Sequence, residues 1–151
     1  PLGTEITFQD SRVKAAIMLN PFVPPRQKPY ISKAFAPIHI PCMHVVGLPD
    51  RTPMRQSGPD DRQAPFAHIN GPDQYLIILP PAGGSATYTG DRMSETGRDR
   101  LLEELVGAAS TAFWNAYLKK DHKALHWLTG DGLARTWENH GTVELKVQPH
   151  D

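Results

Sequence analysis

Three short apolar runs precede a single long stretch with helical periodicity. The runs occupy residues 13–20, 40–47 and 74–79, and each ends at a turn that contains proline or glycine. Apolar side chains are nearly continuous within each run instead of alternating with polar ones. This pattern is typical of strands that are buried on both faces of a parallel sheet. The sequence therefore predicts three buried strands at these positions.

Residues from about 96 to 118 show the spacing of an amphipathic helix. Apolar side chains recur there every three or four residues and form one stripe with widened flanks. The stripe consists of Leu101, Leu105, Ala108, Ala109, Ala112 and Ala116, and it is widened by Leu102, Val106, Phe113 and Tyr117. A helix with so wide an apolar side is expected to pack against a sheet.

Strands joined by loops and followed by a long helix predict an α/β fold with a parallel sheet. Three strands and one long helix leave part of such a sheet uncovered, so we expect residues 1–151 to be the C-terminal part of one larger domain. Residues 119–151, with a short helix at 122–128, are expected to form a C-terminal extension that packs on the rest. The alternation at 143–147 fits an edge strand without establishing one.

Composition and charge argue against several classes of partner. Acidic and basic residues number 16 each, so nothing favours nucleic acid or an anionic membrane surface. No apolar run approaches the roughly 18–20 residues of a transmembrane helix, so no membrane span is expected. The single cysteine, Cys42, excludes an internal disulfide and a multi-cysteine metal site. Its place within a strand predicts a small buried side chain.

Four segments carry a resemblance to a known family. Residues 10–16 read Asp-Ser-Arg-Val-Lys-Ala-Ala, and residues 40–50 read Ile-Pro-Cys-Met-His-Val-Val-Gly-Leu-Pro-Asp. Residues 64–71 read Ala-Pro-Phe-Ala-His-Ile-Asn-Gly, and residues 74–79 read Gln-Tyr-Leu-Ile-Ile-Leu. In this order they resemble the sixth strand, the seventh strand with its acid, the connection and the eighth strand of an α/β-hydrolase. The similarity is closest to dienelactone-hydrolase-like and acetylhydrolase-like esterases.

The resemblance implies acyl transfer by a serine, assisted by a histidine and an acid that follow the order serine, acid, histidine. It makes Asp50 the triad acid and places Ser85 where the family has its histidine. A serine cannot act as a general base near neutral pH. The sequence also contains no Gly-x-Ser-x-Gly elbow. We therefore expect the parent to be a serine ester hydrolase of small or medium acyl esters, and this chain to be inactive on its own.

Other interpretations of the same residues stay open. Asp50 also fits an ordinary turn, in which its carboxylate accepts local backbone hydrogen bonds. Ser85 itself is a candidate nucleophile because Gly83-Gly84-Ser85 is half an elbow, although the residues after it begin a helix poorly and favour a loop serine. The chain as a whole also fits a non-catalytic interaction module or a degenerate hydrolase homologue. An exposed strand edge favours self-association or binding of a missing strand.

The histidines give little support for a metal site. His122 and His126 lie four residues apart on a predicted helix, which is ligand geometry, but no third ligand follows at a recognisable spacing. His39 and His44 are expected on opposite faces of one strand. His68 is interpreted as a structural or loop residue. No cofactor or metal is expected, and the sequence does not predict a cellular compartment.

Overall fold

The computed structural model describes residues 10–21, 23, 25–47, 59–80 and 97–148. Within these residues a four-stranded sheet is combined with five α-helices and one 3-10 helix. The α/β class predicted from the sequence is therefore confirmed. None of the described helices is both long enough and apolar enough to cross a membrane.

The sheet has the order β1-β2-β3-β4. β1 comprises Ala16–Leu19, β2 Cys42–Gly47, β3 Gln74–Leu79 and β4 Thr142–Lys146. β1 and β3 run parallel to the central β2, with the first pairs Ala16↔Cys42 and Cys42↔Gln74. β4 pairs antiparallel with β3. The sheet is thus mixed, and a prediction of three parallel strands alone misses its last member.

The helices lie in the connections between strands. A 3-10 helix, Pro25–Tyr30, and α1, Ile31–Phe35, lie between β1 and β2, and α2, Pro59–His68, lies between β2 and β3. α3, Gly97–Lys119, α4, His122–Thr129, and α5, Gly132–Trp137, lie between β3 and β4. The carboxylate of Asp121 caps the N-terminus of α4, where it accepts hydrogen bonds from the backbone amides of Lys123 and Ala124 at 2.9 and 3.2 Å.

Helices cover both faces of the sheet, but unequally. Side chains at odd positions of β2 and β3, such as Met43 and Tyr75, belong to a large core cluster with α3, α4 and α5. Leu128, Leu133 and Trp137 from the C-terminal segment lie in this same cluster. Side chains at even positions pack with α2, where the buried cluster consists of Val46, Phe66 and Leu76. The division of the chain into a main part and an extension stays a prediction.

The buried side of α3 differs from the predicted one by a small rotation. The helix buries Leu102, Val106, Ala109, Phe113 and Ala116 against the sheet. Leu101, which the sequence placed in the stripe, is 38% exposed, whereas Leu102 is 5% exposed. The apolar side is wide enough to fit both orientations. The ring of Phe113, which meets Tyr75 edge to face with a centroid separation of 5.9 Å, favours the observed one.

Candidate functional site

Asn20 joins the carboxyl ends of β1 and β2. Its backbone N–H donates to the carbonyl oxygen of Val45 at 2.8 Å, and its side-chain Oδ1 accepts from the amide of Gly47 at 2.6 Å. The backbone of Asn20 has φ 45°, a left-handed conformation that asparagine tolerates better than most residues. Gly47 ends β2, and a Cβ on it would lie 3.3 Å from Asn20 Oδ1. Glycine therefore leaves room for this close approach.

Helix α2 contributes Arg62 to the same edge of the sheet. Its guanidinium Nη1 donates to the carbonyl oxygen of Gly47 at 2.9 Å and to Asn20 Oδ1 at 3.2 Å. Arg62 is only 7% exposed, and hydrogen bonds to these oxygens offset part of the cost of removing its charge from water. We call Asn20, Gly47 and Arg62 the edge junction. It fixes the point at which the chain leaves β2.

The sequence does not mark Asn20 or Arg62 as site residues. Asn20 stands before a proline and reads as a strand end, while Arg62 follows two aspartates in a helix that looks solvated. Gly47 is the one hint in the sequence, since a glycine at the end of a buried strand often marks a close approach of other groups. It does not identify Asn20 or Arg62 as the groups that approach.

Both predicted site residues, Asp50 and Ser85, lie outside the described residues. Asp50 is the third residue after Gly47, which ends β2, and Ser85 is the sixth after Leu79, which ends β3. Because β2 and β3 are parallel neighbours, the two connections start from the same edge of the sheet. The roles of triad acid and of a replaced histidine stay predictions.

His44 is fully buried between the sheet and α2. Its Nε2–H donates to Gln74 Oε1 at 3.3 Å, since Gln74 Nε2 is itself a donor to the carbonyl oxygens of Ile40 and Pro72, at 3.0 and 2.9 Å. His44 Nδ1 has no hydrogen-bond partner within the described part of the chain. Burial lowers the pKa of His44 to about 4; the Gln74 bond opposes this shift and the charge of Lys146 adds to it. The imidazole is therefore neutral at pH 7.

The other candidate ligands lie on different elements, with Cys42 on β2 and both His122 and His126 on α4. Cys42 is buried, as predicted, and burial raises the pKa of its thiol to about 11, so the thiol stays protonated. His122 and His126 are exposed on α4. The expectation that His39 and His44 share a strand is wrong, because β2 begins only at Cys42. In the ranges that the structure covers, no group of three or more His, Cys, Asp or Glu side chains could hold a metal ion.

Comparisons of the chain with models of protein families, with curated proteins and with solved structures gave no match. The likeness to α/β-hydrolases is therefore a resemblance carried by the segments of this sequence. The functional assignment that follows from it is a proposal.

Proposed function

We propose that the chain forms the acid-bearing part of an α/β-hydrolase domain from a serine ester hydrolase of small or medium acyl substrates. The observation that carries the proposal is the arrangement of β1, β2 and β3. They are parallel, and they are neighbours in space in the same order as in the sequence. This order agrees with the sixth, seventh and eighth strands that the sequence resembles. α2 and α3 pack on opposite faces, as helices do in a doubly covered parallel sheet.

In this proposal Asp50 is the triad acid, and the loop that contains Ser85 is the former histidine loop. Neighbouring strands lie about 4.8 Å apart, so the segments that leave β2 and β3 begin within reach of each other. An acid at such a position orients a histidine and stabilises its charged form. With serine at position 85 and no Gly-x-Ser-x-Gly in the sequence, the chain is proposed to have no ester turnover of its own.

The edge junction supports the placement of an acid after β2. Arg62 and Asn20 bind the carbonyl and the amide of Gly47, respectively. The segment that leads to Asp50 therefore departs from a fixed point. Strand ends held in this way suit functional side chains, because a site needs a rigid support.

The test introduces a histidine where the family has one. In Ser85→His, the new imidazole should titrate at a higher pH than in Ser85→His/Asp50→Asn, because an ionised Asp50 stabilises the imidazolium. The difference should be about tenfold in proton affinity. Histidine NMR measures it, with difference spectra separating the new ring from the seven native ones. Ser85→His/Glu103→Gln, which removes an exposed carboxylate on α3, is the control. Equal titration with and without the Asp50 carboxylate contradicts the proposal.

Turnover is tested separately. The chain should hydrolyse p-nitrophenyl acetate no faster than an unrelated protein with the same number of histidines. A serine-reactive phosphonate should leave Ser85 unlabelled. Saturable turnover that the phosphonate abolishes, with the label on Ser85, would make Ser85 a nucleophile and contradict its proposed role.

A second candidate function, a strand-pairing interaction module, is favoured by the composition of β1. This strand is the last member on one side of the sheet, its four residues are all apolar, and Leu19 is 50% exposed. Edge strands usually carry charges or proline that discourage pairing. No strand within the described ranges pairs with the outer side of β1. Its apolar edge suits a second copy of the same strand.

This second candidate predicts self-association that depends on one backbone amide. The amides of Ala16 and Asn20 donate to β2, so the alternation of a parallel strand directs the amide of Leu19 outward. Leu19→Pro removes this donor and leaves the pairing with β2 intact. Light scattering over a range of concentrations should show weaker association for Leu19→Pro than for Leu19→Ser, which keeps the amide. A wild-type chain that stays monomeric throughout contradicts this candidate.

A further inference from the structure

The imidazole of His44 forms a buried hydrogen bond with the side chain of Gln74. Since Gln74 uses its amide nitrogen to bind two carbonyl groups, its Oε1 fixes the proton of His44 on Nε2. The unprotonated Nδ1 is buried without a hydrogen-bond partner in the described structure. The ring of Phe66, from α2, meets the imidazole edge to face at a centroid separation of 5.7 Å. α2 thus covers a histidine that has no acceptor for a second proton.

Lys146, on β4, holds the C-terminal end of α2. Its Nζ donates to the carbonyl oxygens of Phe66 and Ala67, at 2.7 and 3.2 Å, and lies 4.6 Å from the centroid of the Phe66 ring. These contacts join β4 to α2 and place a positive charge near His44. Lys146 is among the causes that disfavour the charged form of His44. The lysine that anchors the end of α2 therefore also disfavours a positive charge on His44.

We propose that His44 is an acid-sensitive latch for α2: protonation of its imidazole releases α2 from the sheet while α3 stays packed on the other face. This inference does not depend on the hydrolase assignment. In the closed state the added proton sits on buried Nδ1 without an acceptor, and the new charge is close to Lys146. Movement of α2 admits water to the imidazole, and this water solvates the charged ring and screens it from Lys146 on β4. The low pKa of His44 in the closed state agrees with this coupling.

Helix α2 is the element suited to open. It contains Pro65, which supplies no amide for a helical hydrogen bond. The buried cluster beneath it consists of Val46, Phe66 and Leu76, whereas the opposite face holds the large cluster with α3. Local opening takes place where few apolar side chains are buried. The weaker of the two faces is thus the one that covers the histidine.

Other charged groups near α2 define the controls. The titratable or charged side chains described on α2 and on the elements around it are Cys42 on β2, Tyr75 on β3, Glu144 and Lys146 on β4, Lys33 on α1, Lys28 and Tyr30 on the 3-10 helix, and Asp61, Arg62 and His68 on α2. Asp61 pairs with Lys28 at 2.6 Å, and His68 Nδ1 lies 2.9 Å from Ser32 Oγ. A free imidazole has a pKa of about 6.5, so the release of α2 by His44 should begin below that pH. Asp61 and His68 each need a control variant.

Hydrogen exchange of the whole chain between pH 7 and pH 4.5 tests the latch. After correction for intrinsic exchange, the opening constant of α2 amides should rise about tenfold for each pH unit below about 6, the slope for uptake of one proton. The amides of α3 should keep their protection. His44→Gln retains a donor for Gln74 Oε1 and cannot titrate in this range, so it should abolish the slope. His68→Gln and Asp61→Asn should retain it.

Several results would overturn the proposal. A slope that survives in His44→Gln assigns the effect to another group. Equal loss of protection in α2 and α3 shows global acid unfolding instead of local release. NMR of the wild-type chain keeps the test decisive if His44→Gln does not fold, because the His44 ring should protonate together with the loss of α2 protection. Lys146→Met should move that protonation to higher pH, and protonation without any change in α2 refutes the latch.

Discussion

The hydroxyl groups of Tyr75 and Tyr117 lie 2.6 Å apart and join β3 to α3. Tyr75 is fully buried, and the rings of both tyrosines contact Phe113. Burial is the main cause that raises the pKa of each phenol above its ordinary range, and the charge of Asp73 raises both further. Both phenols are therefore neutral, and the hydrogen bond between them joins the sheet to α3.

This pair predicts an alkaline limit to stability. A free tyrosine has a pKa of about 10, and both phenols hold their protons more tightly in the folded chain. The unfolded chain therefore binds fewer protons above pH 10, so stability is lost as the pH rises beyond that value. Absorbance at 295 nm should show two of the four tyrosines ionising only as the helical circular dichroism disappears.

The control for the tyrosine pair is Tyr30→Phe, because Tyr30 is 66% exposed. It should leave the alkaline transition unchanged, whereas Tyr117→Phe should leave one tyrosine that ionises with unfolding. Tyr117→Phe should also lower the free energy of unfolding at pH 7 by about 1 kcal/mol. Ionisation of all tyrosines while the protein stays folded contradicts the prediction.

Arg62→Met should lower the free energy of unfolding by about 2–3 kcal/mol, because the oxygens of Gly47 and Asn20 lose a charged hydrogen-bond donor at a site with little access to water. Arg62→Lys should cost less than Arg62→Met, since it keeps the charge but not the geometry of the guanidinium. Urea denaturation measures both. The matched control is Arg100→Met, whose side chain is 82% exposed and pairs with Glu104 at 3.3 Å. It should cost no more than about 0.5 kcal/mol. Similar losses at both arginines would disprove the edge junction.

The rotation of α3 predicts different effects for two neighbouring leucines. Leu102→Ala should cost about 2–4 kcal/mol, because Leu102 lies in the core and its loss leaves a cavity. Leu101→Ala, at a side chain that is 38% exposed, should cost less than about 1 kcal/mol. The chemistry of the two changes is identical, so thermal or urea unfolding compares the positions directly. A larger cost at Leu101 would mean that the other side of the helix faces the sheet.

Cys42 should resist alkylation in the folded chain. Its Sγ is buried and donates to the carbonyl oxygen of Ile40 at 3.4 Å, and its pKa of about 11 leaves little thiolate at pH 8. Iodoacetamide should therefore label it only at the rate at which the protein opens. The same chain in urea should be labelled completely, which serves as the control. Rapid labelling under native conditions would show that the β2 segment is accessible.

The central strands could be predicted because they are buried on both faces. Continuous apolar runs at 40–47 and 74–79 leave little freedom for another structure, and β2 and β3 lie within them. The helix at 96–118 could be located by its period in the same way. Its rotation could not, since the apolar side is wider than the strip that the sheet covers. That choice depends on contacts such as the one between Phe113 and Tyr75.

The edge junction and the His44 pair depend on residues far apart in the sequence. Asn20 and Gly47 are separated by 27 positions, and His44 and Gln74 by 30. No local pattern records which asparagine will meet which amide once the strands pair. The sequence does not establish β4 for a similar reason, because its short alternating run becomes a strand only by pairing with β3. The fold class can be predicted from local patterns of apolar residues, whereas the candidate site depends on contacts between residues that are far apart in the sequence.

The position of β4 also affects how the nascent chain matures. β3 acquires its second neighbour only from Thr142–Lys146, after α3, α4 and α5 have been synthesised. Until that segment leaves the ribosome, an apolar strand presents a free row of backbone donors and acceptors. Premature termination before Thr142 would make this state permanent, and it would also delete the lysine that holds α2. Such shortened chains should be clients of chaperones or prone to aggregation.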